Sequence, residues 1–271
     1  MKDVAVVVLS CDKNEELWPI FKHCLDKYWP SHPNTYLLTE TIESPDIKTI
    51  NIDYPISQWS RRIRESLELV PENKVVFICD DCFLDKPVNV EKLEKCFDML
   101  SLDNTASINF ELLVDYRDIE CPFEGFKLKS YESAYVVSFL CGIWNKDKLI
   151  SLLSDKDIDP WTLEVEQNHK NYQYYQTVDD KILSWFRDGS GENAAVRHGR
   201  WMHGVEDFLK KENIEVDYQK KGFWSYGFWE KYIELRQQLD HAEDLVARAN
   251  KKIEEYKQEL TDMWNQETSK K

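Results

Sequence analysis

Val75-Val76-Phe77-Ile78-Cys79 is an unbroken apolar run that ends in two adjacent carboxylates, Asp80 and Asp81. Consecutive β-branched and aromatic residues without polar alternation mark a strand buried on both faces, the kind found inside a sheet with helices on either side. A second run, Val4-Ala5-Val6-Val7-Val8-Leu9, ends at Ser10-Cys11-Asp12 and reads the same way. Two such strands predict an α/β fold, in which ligands meet the sheet beyond the carboxyl ends of its strands. Asp80 and Asp81 are therefore expected at a binding edge. Neighbouring carboxylates repel unless a cation lies beside them, and hard oxygen ligands suit Mg2+ or Mn2+ completed by phosphate oxygens. The bland alternative is a turn or helix cap, for which Asp is equally suited.

Between the two runs the pattern alternates as an α/β fold requires. Leu17, Phe21, Cys24, Leu25 and Tyr28 fall at helical spacing within 15–28, and Pro30 and Pro33 end that helix. Thr35–Thr39 and Ile47–Ile52 read as strands, giving a right-handed crossover and a doubly wound sheet. A further helix starts near Ser57 or Gln58, with Trp59, Ile63, Leu67 and Val70 on one face. Its first turn, Ser60 with Arg61 or Arg62, offers donors to a phosphate or a base edge, although arginines on a helix are most often a solvated face. Downstream, 90–100 predicts an amphipathic helix, 106–113 and 134–140 strands, and 115–129 a loop or excursion able to cover the acceptor side. Residues 181–186 predict a strand leading through a turn at Asp188-Gly189-Ser190-Gly191 into a hairpin partner at 194–196.

Charge narrows the partners. With 50 acidic against 35 basic residues, a net charge of −15 argues against nucleic acid and against purely electrostatic binding to anionic lipid. The seven cysteines are scattered in apolar strings, and Cys79-x-x-Cys82 stands alone, without the second pair that a zinc site needs. Reduced thiols, no secretory pattern at the start and no apolar window of membrane-spanning length make a cytoplasmic location the expectation, at most peripheral at the inner face of a membrane.

The opening strand into Ser10-Cys11-Asp12, the Trp59-Ser60-Arg61-Arg62 helix and the strand into Asp80-Asp81 together resemble the nucleotide-sugar half of GT-A glycosyltransferases, in particular bacterial enzymes of cell-surface polysaccharide synthesis. Ser138 to Leu149 resembles their strand, Trp-containing turn and helix. Asp159-Pro160-Trp161-Thr162-Leu163-Glu164 is similar to their Pro-Trp-x-x-Glu motif, and Val196-Arg197-His198-Gly199-Arg200-Trp201 to their closing Gly-basic-Trp segment. The resemblance covers roughly 1–215 and implies a GT-A, Rossmann-like mixed sheet flanked by helices. It also implies roles: Asp81 as metal ligand with His198, Asp80 near the ribose or a bound water, Ser10, Asp12 and Arg62 around the nucleotide, and Arg200 or His198 on the diphosphate. Glu164 would be the general base of an inverting transfer, and Trp144 and Trp161 acceptor or sugar contacts. The triplet reads Cys79-Asp80-Asp81 where the family carries further acid, which weakens the expected metal affinity.

The chemistry asks for these parts on its own terms. Transfer from a nucleoside diphosphate sugar needs charge stabilisation on the departing diphosphate and a carboxylate to take the acceptor's proton. A carboxylate beside Trp161 would be desolvated and so made more basic. Each residue has a plainer role as well: Glu164 and Glu166 suit a helix start, His198 a surface hydrogen bond, and Trp144 and Trp161 a core.

After Gly222 the character changes to an aromatic stretch, 223–229, and then a segment without proline or glycine. Tyr232, Leu235, Leu239, Ala242, Val246, Ala249, Ile253, Tyr256, Leu260 and Met263 recur at spacings of three and four, a heptad seam. The domains expected are 1–222 and a hinge with oligomerising helix at 223–271, the seam joining like chains through 228–265. Two readings follow: a metal-assisted glycosyltransferase using a nucleotide sugar, with UDP as nucleotide and a glycan or lipid-linked acceptor, or a non-catalytic scaffold that carries a degenerate GT-A domain on an oligomerising helix. A nucleotidyltransferase would call for a Gly-rich loop near the first strand, and none of the eight glycines precedes Gly125.

Overall fold

The computed structural model describes residues 2–102, 104–110, 121, 123–131, 135–153, 157–165, 171–178, 182–187, 194–225, 227, 230–231, 234–235, 238–239, 242, 245–246 and 248–258. The chain forms two compact units, Met1–Val196 with Met202–Val216, and Arg197–Trp201 with Asp217–Lys271.

The first unit is built on an eight-stranded mixed sheet. Its strands are β1 (Val4–Leu9), β2 (Asn34–Thr39), β3 (Lys48–Asn51), β4 (Lys74–Cys79), β5 (Thr105–Asn109), β6 (Phe126–Leu128), β7 (Cys141–Asn145) and β8 (Gln173–Thr177), in the order β3-β2-β1-β4-β7-β5-β8-β6. β1 runs parallel to β2 and β4, β7 runs antiparallel to both β4 and β5, and β5 runs parallel to β8. The two apolar runs are thus adjacent central strands, buried nearly throughout, which is why neither shows polar alternation. Their register pairs Leu9 with Cys79, so Ser10 and Asp80 leave the sheet side by side.

The helices are α1 (Trp18–Tyr28), α2 (Trp59–Glu68), α3 (Val90–Leu100), α4 (Lys146–Leu152), α5 (Pro160–Val165) and α6 (Val205–Lys211). Asn89 and Asn145 cap α3 and α4, accepting the Lys92 and Lys148 amides at 3.0 and 3.1 Å. Trp59, Ile63 and Leu67 of α2, Leu149 of α4 and Leu163 of α5 share one core with Val75, Phe77 and Trp144 of the sheet. At Gly142 an added Cβ would lie 2.8 Å from the Ile108 carbonyl, so the absence of a side chain lets β7 sit against β5.

Two expected strands are placed differently. The described part of 134–140 has no strand, and β7 begins at Cys141 instead. Val136, Val137 and Phe139 are buried by packing into the α2 and α5 core, and an apolar run cannot by itself distinguish that burial from strand burial. Within 182–187 the only strand-like pairing among the described residues is one bridge, Leu84 to Trp185. The turn at 188–191 and the end of the 106–113 strand lie outside the described residues. Inside the expected loop 115–129, β6 adds an edge strand to β8.

In the second unit His198 and Gly199 both take positive φ, 48° and 74°, as the two central residues of a type I′ turn do. Trp201 is fully buried there, edge-on to Tyr218, which stacks on Phe223. The described residues of 230–258 are helical, and the seam positions Leu235, Leu239, Val246, Ile253 and Tyr256 are each about half exposed. Tyr232, Leu260 and Met263 lie outside the described residues.

Candidate functional site

A cavity of about 660 Å³ opens where β1 and β4 end, within the size range of small-molecule sites. Its lining includes Ser10, Asn14, Trp59, Arg62, Cys79, Asp80, Asp81, Tyr135, Ser138, Phe139, Trp161 and Glu164, all of the first unit.

Asp80 is buried and held. The Ser10 hydroxyl donates to its Oδ2 at 2.5 Å, the Asn14 amide donates to its Oδ1 at 3.3 Å, and the Trp18 indole N–H donates to the Ser10 hydroxyl at 2.7 Å. Asp81 is half-buried at the cavity wall, and its backbone carbonyl accepts the Ala195 amide at 2.9 Å. Of the adjacent pair, Asp80 is thus a positioned carboxylate, and the Cys82 thiol lies 4.0 Å from Asp81 Oδ1.

Arg62 is 5 % exposed and reaches the cavity from α2, where its guanidinium bonds the Glu40 carboxylate and the Ser10 carbonyl, the latter at 3.1 Å. Glu40 follows β2 and accepts the Asp12 amide at 2.6 Å, while the Asp12 carboxylate accepts the amides of Glu40, Thr41 and Ile42 and the Thr41 hydroxyl. Burial pushes the Asp12 carboxyl up, but these bonds outweigh it and hold it below its usual range. Asp12 therefore clamps the loops after β1 and β2 together and is not among the lining residues. Ser60 and Arg61, offered by the sequence for phosphate, instead fasten the 157–158 segment: the Ser60 hydroxyl accepts the Ile158 amide at 3.2 Å and Arg61 pairs with Asp157 at 3.0 Å.

Glu164 projects from α5, whose start is set by Asp159 accepting the Thr162 amide and hydroxyl, each at 2.9 Å. The Glu164 carboxylate accepts the Phe139 amide at 2.8 Å. Burial raises its pKa above the ordinary value, opposed by the Phe139 amide, Lys129 and Ser138. Trp161, on the same helix, is 65 % exposed at the cavity mouth. Trp144 is the opposite case: it has no exposed surface, lies within β7 and stacks on Phe139, so a sugar contact is open to Trp161 and closed to Trp144.

His198 and Arg200 belong to the second unit, where Arg200 donates to the Lys221 carbonyl at 3.2 Å. Among the described residues no group of three or more His, Cys, Asp or Glu side chains is gathered as a metal cage. The donor set in the cavity fits a hard cation shared with phosphate oxygens, through Asp81, and does not fit a site made by protein alone.

Four residues here escaped sequence reasoning: Asn14, Glu40, Lys129 and Tyr135. Glu40 had a usable signal, since it follows the end of a parallel strand as Ser10 and Asp80 do. Tyr135 lines the cavity with φ 61°, a left-handed conformation uncommon for an aromatic residue, and its amide donates to the Glu164 carbonyl at 3.0 Å.

No family model and no curated protein matches the chain. Similar solved structures include a nucleotide-diphospho-sugar transferase from Desulfovibrio desulfuricans (11 % identity, 65 % of this chain and 80 % of that one, TM-score 0.39). A cytidylyltransferase from Leptospira borgpetersenii matches at 11 % identity over 88 % of this chain and 96 % of that one, TM-score 0.45. TarS of S. aureus matches at 9 % identity over 80 % of this chain and 41 % of that one, TM-score 0.43.

Proposed function

We propose that the chain is a glycosyltransferase that binds a nucleotide sugar, with UDP as the nucleotide, and passes the sugar to a hydroxyl of a glycan or lipid-linked acceptor. The observation that carries this reading is the convergence of three distant stretches on one cavity: Ser10 after β1, Asp80-Asp81 after β4, and Trp161 with Glu164 on α5. That is the edge at which an α/β sheet meets its ligand, supplied with carboxylates of two different environments.

In this reading Asp80, fixed by Ser10 and Asn14, accepts ribose hydroxyls, and Arg62 steadies the loop that borders the base. Asp81 would hold Mn2+ or Mg2+, which would supply charge neutralisation on the leaving group. Trp161 offers an exposed ring face to the acceptor or the transferred sugar. Glu164 takes the proton of the acceptor hydroxyl as that oxygen bonds the anomeric carbon. The bond from that carbon to the diphosphate oxygen breaks with its electron pair on the oxygen, so the products are the new glycoside, the nucleoside diphosphate and one proton on Glu164. Such in-line displacement inverts the anomeric centre. No helix among the described residues is long and apolar enough to cross a membrane, and the proposed place of action is the cytoplasm, at the inner face of the membrane where the acceptor is lipid-linked.

Calorimetric titration with UDP, other nucleoside diphosphates and their sugars, each with Mn2+, Mg2+ or chelator, tests the donor site. Metal-dependent binding of one nucleotide supports the reading. Failure of every nucleotide to bind turns it over in favour of a scaffold built on a degenerate domain.

A further inference from the structure

Lys129 follows β6 and has no exposed surface. Its amide donates to the Tyr174 carbonyl at 2.8 Å, which fixes the backbone against β8. Its ammonium donates to the Asn109 carboxamide oxygen at 3.0 Å. Asn109 is equally buried, and its nitrogen donates to the carbonyls of Ser138 and Cys141 at 3.2 and 3.4 Å. The next residue, Phe139, donates its amide to the Glu164 carboxylate. A line of bonds therefore runs from the sealed ammonium, through Asn109 and the 138–139 backbone, to the carboxylate in the cavity.

A neutral amide oxygen does not compensate for taking an ammonium out of water; an opposite charge is needed. Among the described residues Glu164 is the charge that acts on Lys129, and Lys129 acts reciprocally on Glu164. No lysine is required for the sheet to form at this position, and an apolar side chain would be the cheaper filling.

We propose that Lys129 is a positioning residue for Glu164: its buried ammonium, anchored by Asn109, keeps the carboxylate ionised on the cavity side, ready to accept a proton. The catalytic part of this rests on Glu164 being the general base. Burial drives the Lys129 ammonium down to about 7, so its charge responds to pH within the neutral range. Without Lys129 the burial of Glu164 acts with less opposition, and the carboxylate gains a proton at higher pH.

The test is an NMR titration of the full chain carrying 13C-labelled lysine, read at the ε-carbon. One lysine is expected to titrate near neutrality, apart from the surface lysines, and to vanish in Lys129→Met, with Lys129→Arg supplying the assignment where the first variant does not fold. In Glu164→Gln its midpoint falls by at least about half a pH unit, because the charge that favoured the ammonium is gone. A Lys129 signal titrating with the surface lysines, or one whose midpoint ignores Glu164→Gln, overturns the proposal. Coupling seen in a protein that turns over no sugar nucleotide supports the pair and removes the transferase reading instead. Given turnover, the acid limb of kcat/KM moves to higher pH in Lys129→Met and returns in Lys129→Arg; a limb that stays in place assigns Lys129 a purely structural role.

Discussion

Ser10 and Asp80 emerge from neighbouring parallel strands one residue past the aligned pair Leu9 and Cys79, and the Ser10 hydroxyl donates to the Asp80 carboxylate at 2.5 Å. The contact is a product of register: a one-residue slip between β1 and β4 would separate them and turn their side chains to opposite faces. Asp80→Ala removes a buried acceptor and leaves the Ser10 and Asn14 donors without it, at an expected cost of about 1–3 kcal/mol in urea unfolding. Asp81→Asn, at the cavity wall, is expected to abolish the metal-dependent part of nucleotide binding, as calorimetry with and without chelator would show.

Glu164→Gln keeps an oxygen for the Phe139 amide and removes the proton acceptor. The rate of sugar transfer should fall by about 10²–10⁴-fold with nucleotide affinity unchanged, as separate turnover and calorimetric measurements would show. Because the Glu164 pKa is raised, wild-type turnover is expected to drop on acidification at a higher pH than an ordinary carboxylate would give.

Lys129→Met should stabilise the protein while impairing it. The ammonium's pKa is depressed from 10.5 to about 7, so the wild-type fold is disfavoured most below that value and recovers as pH rises toward 10.5. The Met variant lacks this dependence. Its advantage is expected at about 1–4 kcal/mol under mildly acidic conditions, narrowing through alkaline pH, and denaturant melts at the two extremes decide the matter.

Arg62 is almost completely buried against Glu40, whose side chain is 24 % exposed. Arg62→Leu strands the Glu40 charge and is predicted to cost about 3 kcal/mol, the low end for a broken buried pair because Glu40 retains some water. Adding Glu40→Leu should return much of that loss, a non-additivity that a double-mutant cycle measures directly.

The half-exposed seam of Leu235, Leu239, Val246, Ile253 and Tyr256 predicts self-association of the full chain. Sedimentation equilibrium should give a species larger than 32.3 kDa, and Leu239→Glu with Val246→Glu should reduce it to that mass. A wild-type chain that sediments as a monomer removes the oligomer reading.

The central strands were legible because burial on both faces leaves a continuous apolar run, and their ends pointed to Ser10, Asp80 and Asp81 without further information. Glu164 emerged from a motif resemblance, since nothing in its own surroundings separates it from a helix-start acid. Trp144 and Trp161 looked alike in sequence, yet one is sealed in β7 and the other stands in solvent, a difference set by neighbours distant along the chain. Lys129 sat in a stretch expected to be a loop, and its meaning depends on Asn109, twenty residues earlier in β5, and Glu164, on α5. The segment before β7 misled for a related reason: apolar residues packed under helices and apolar residues in a strand carry the same composition.

Gly142 gives the site a mutational weak point that no catalytic side chain marks. A methyl group there would meet the Ile108 carbonyl at 2.8 Å and Asn109 Cα at 3.1 Å, both backbone atoms of β5 that cannot rotate away. The Asn109 that would be displaced is the one that holds the Lys129 ammonium. In a saturation library position 142 should therefore tolerate glycine alone, behaving in selection like an active-site residue although it has no side chain to react.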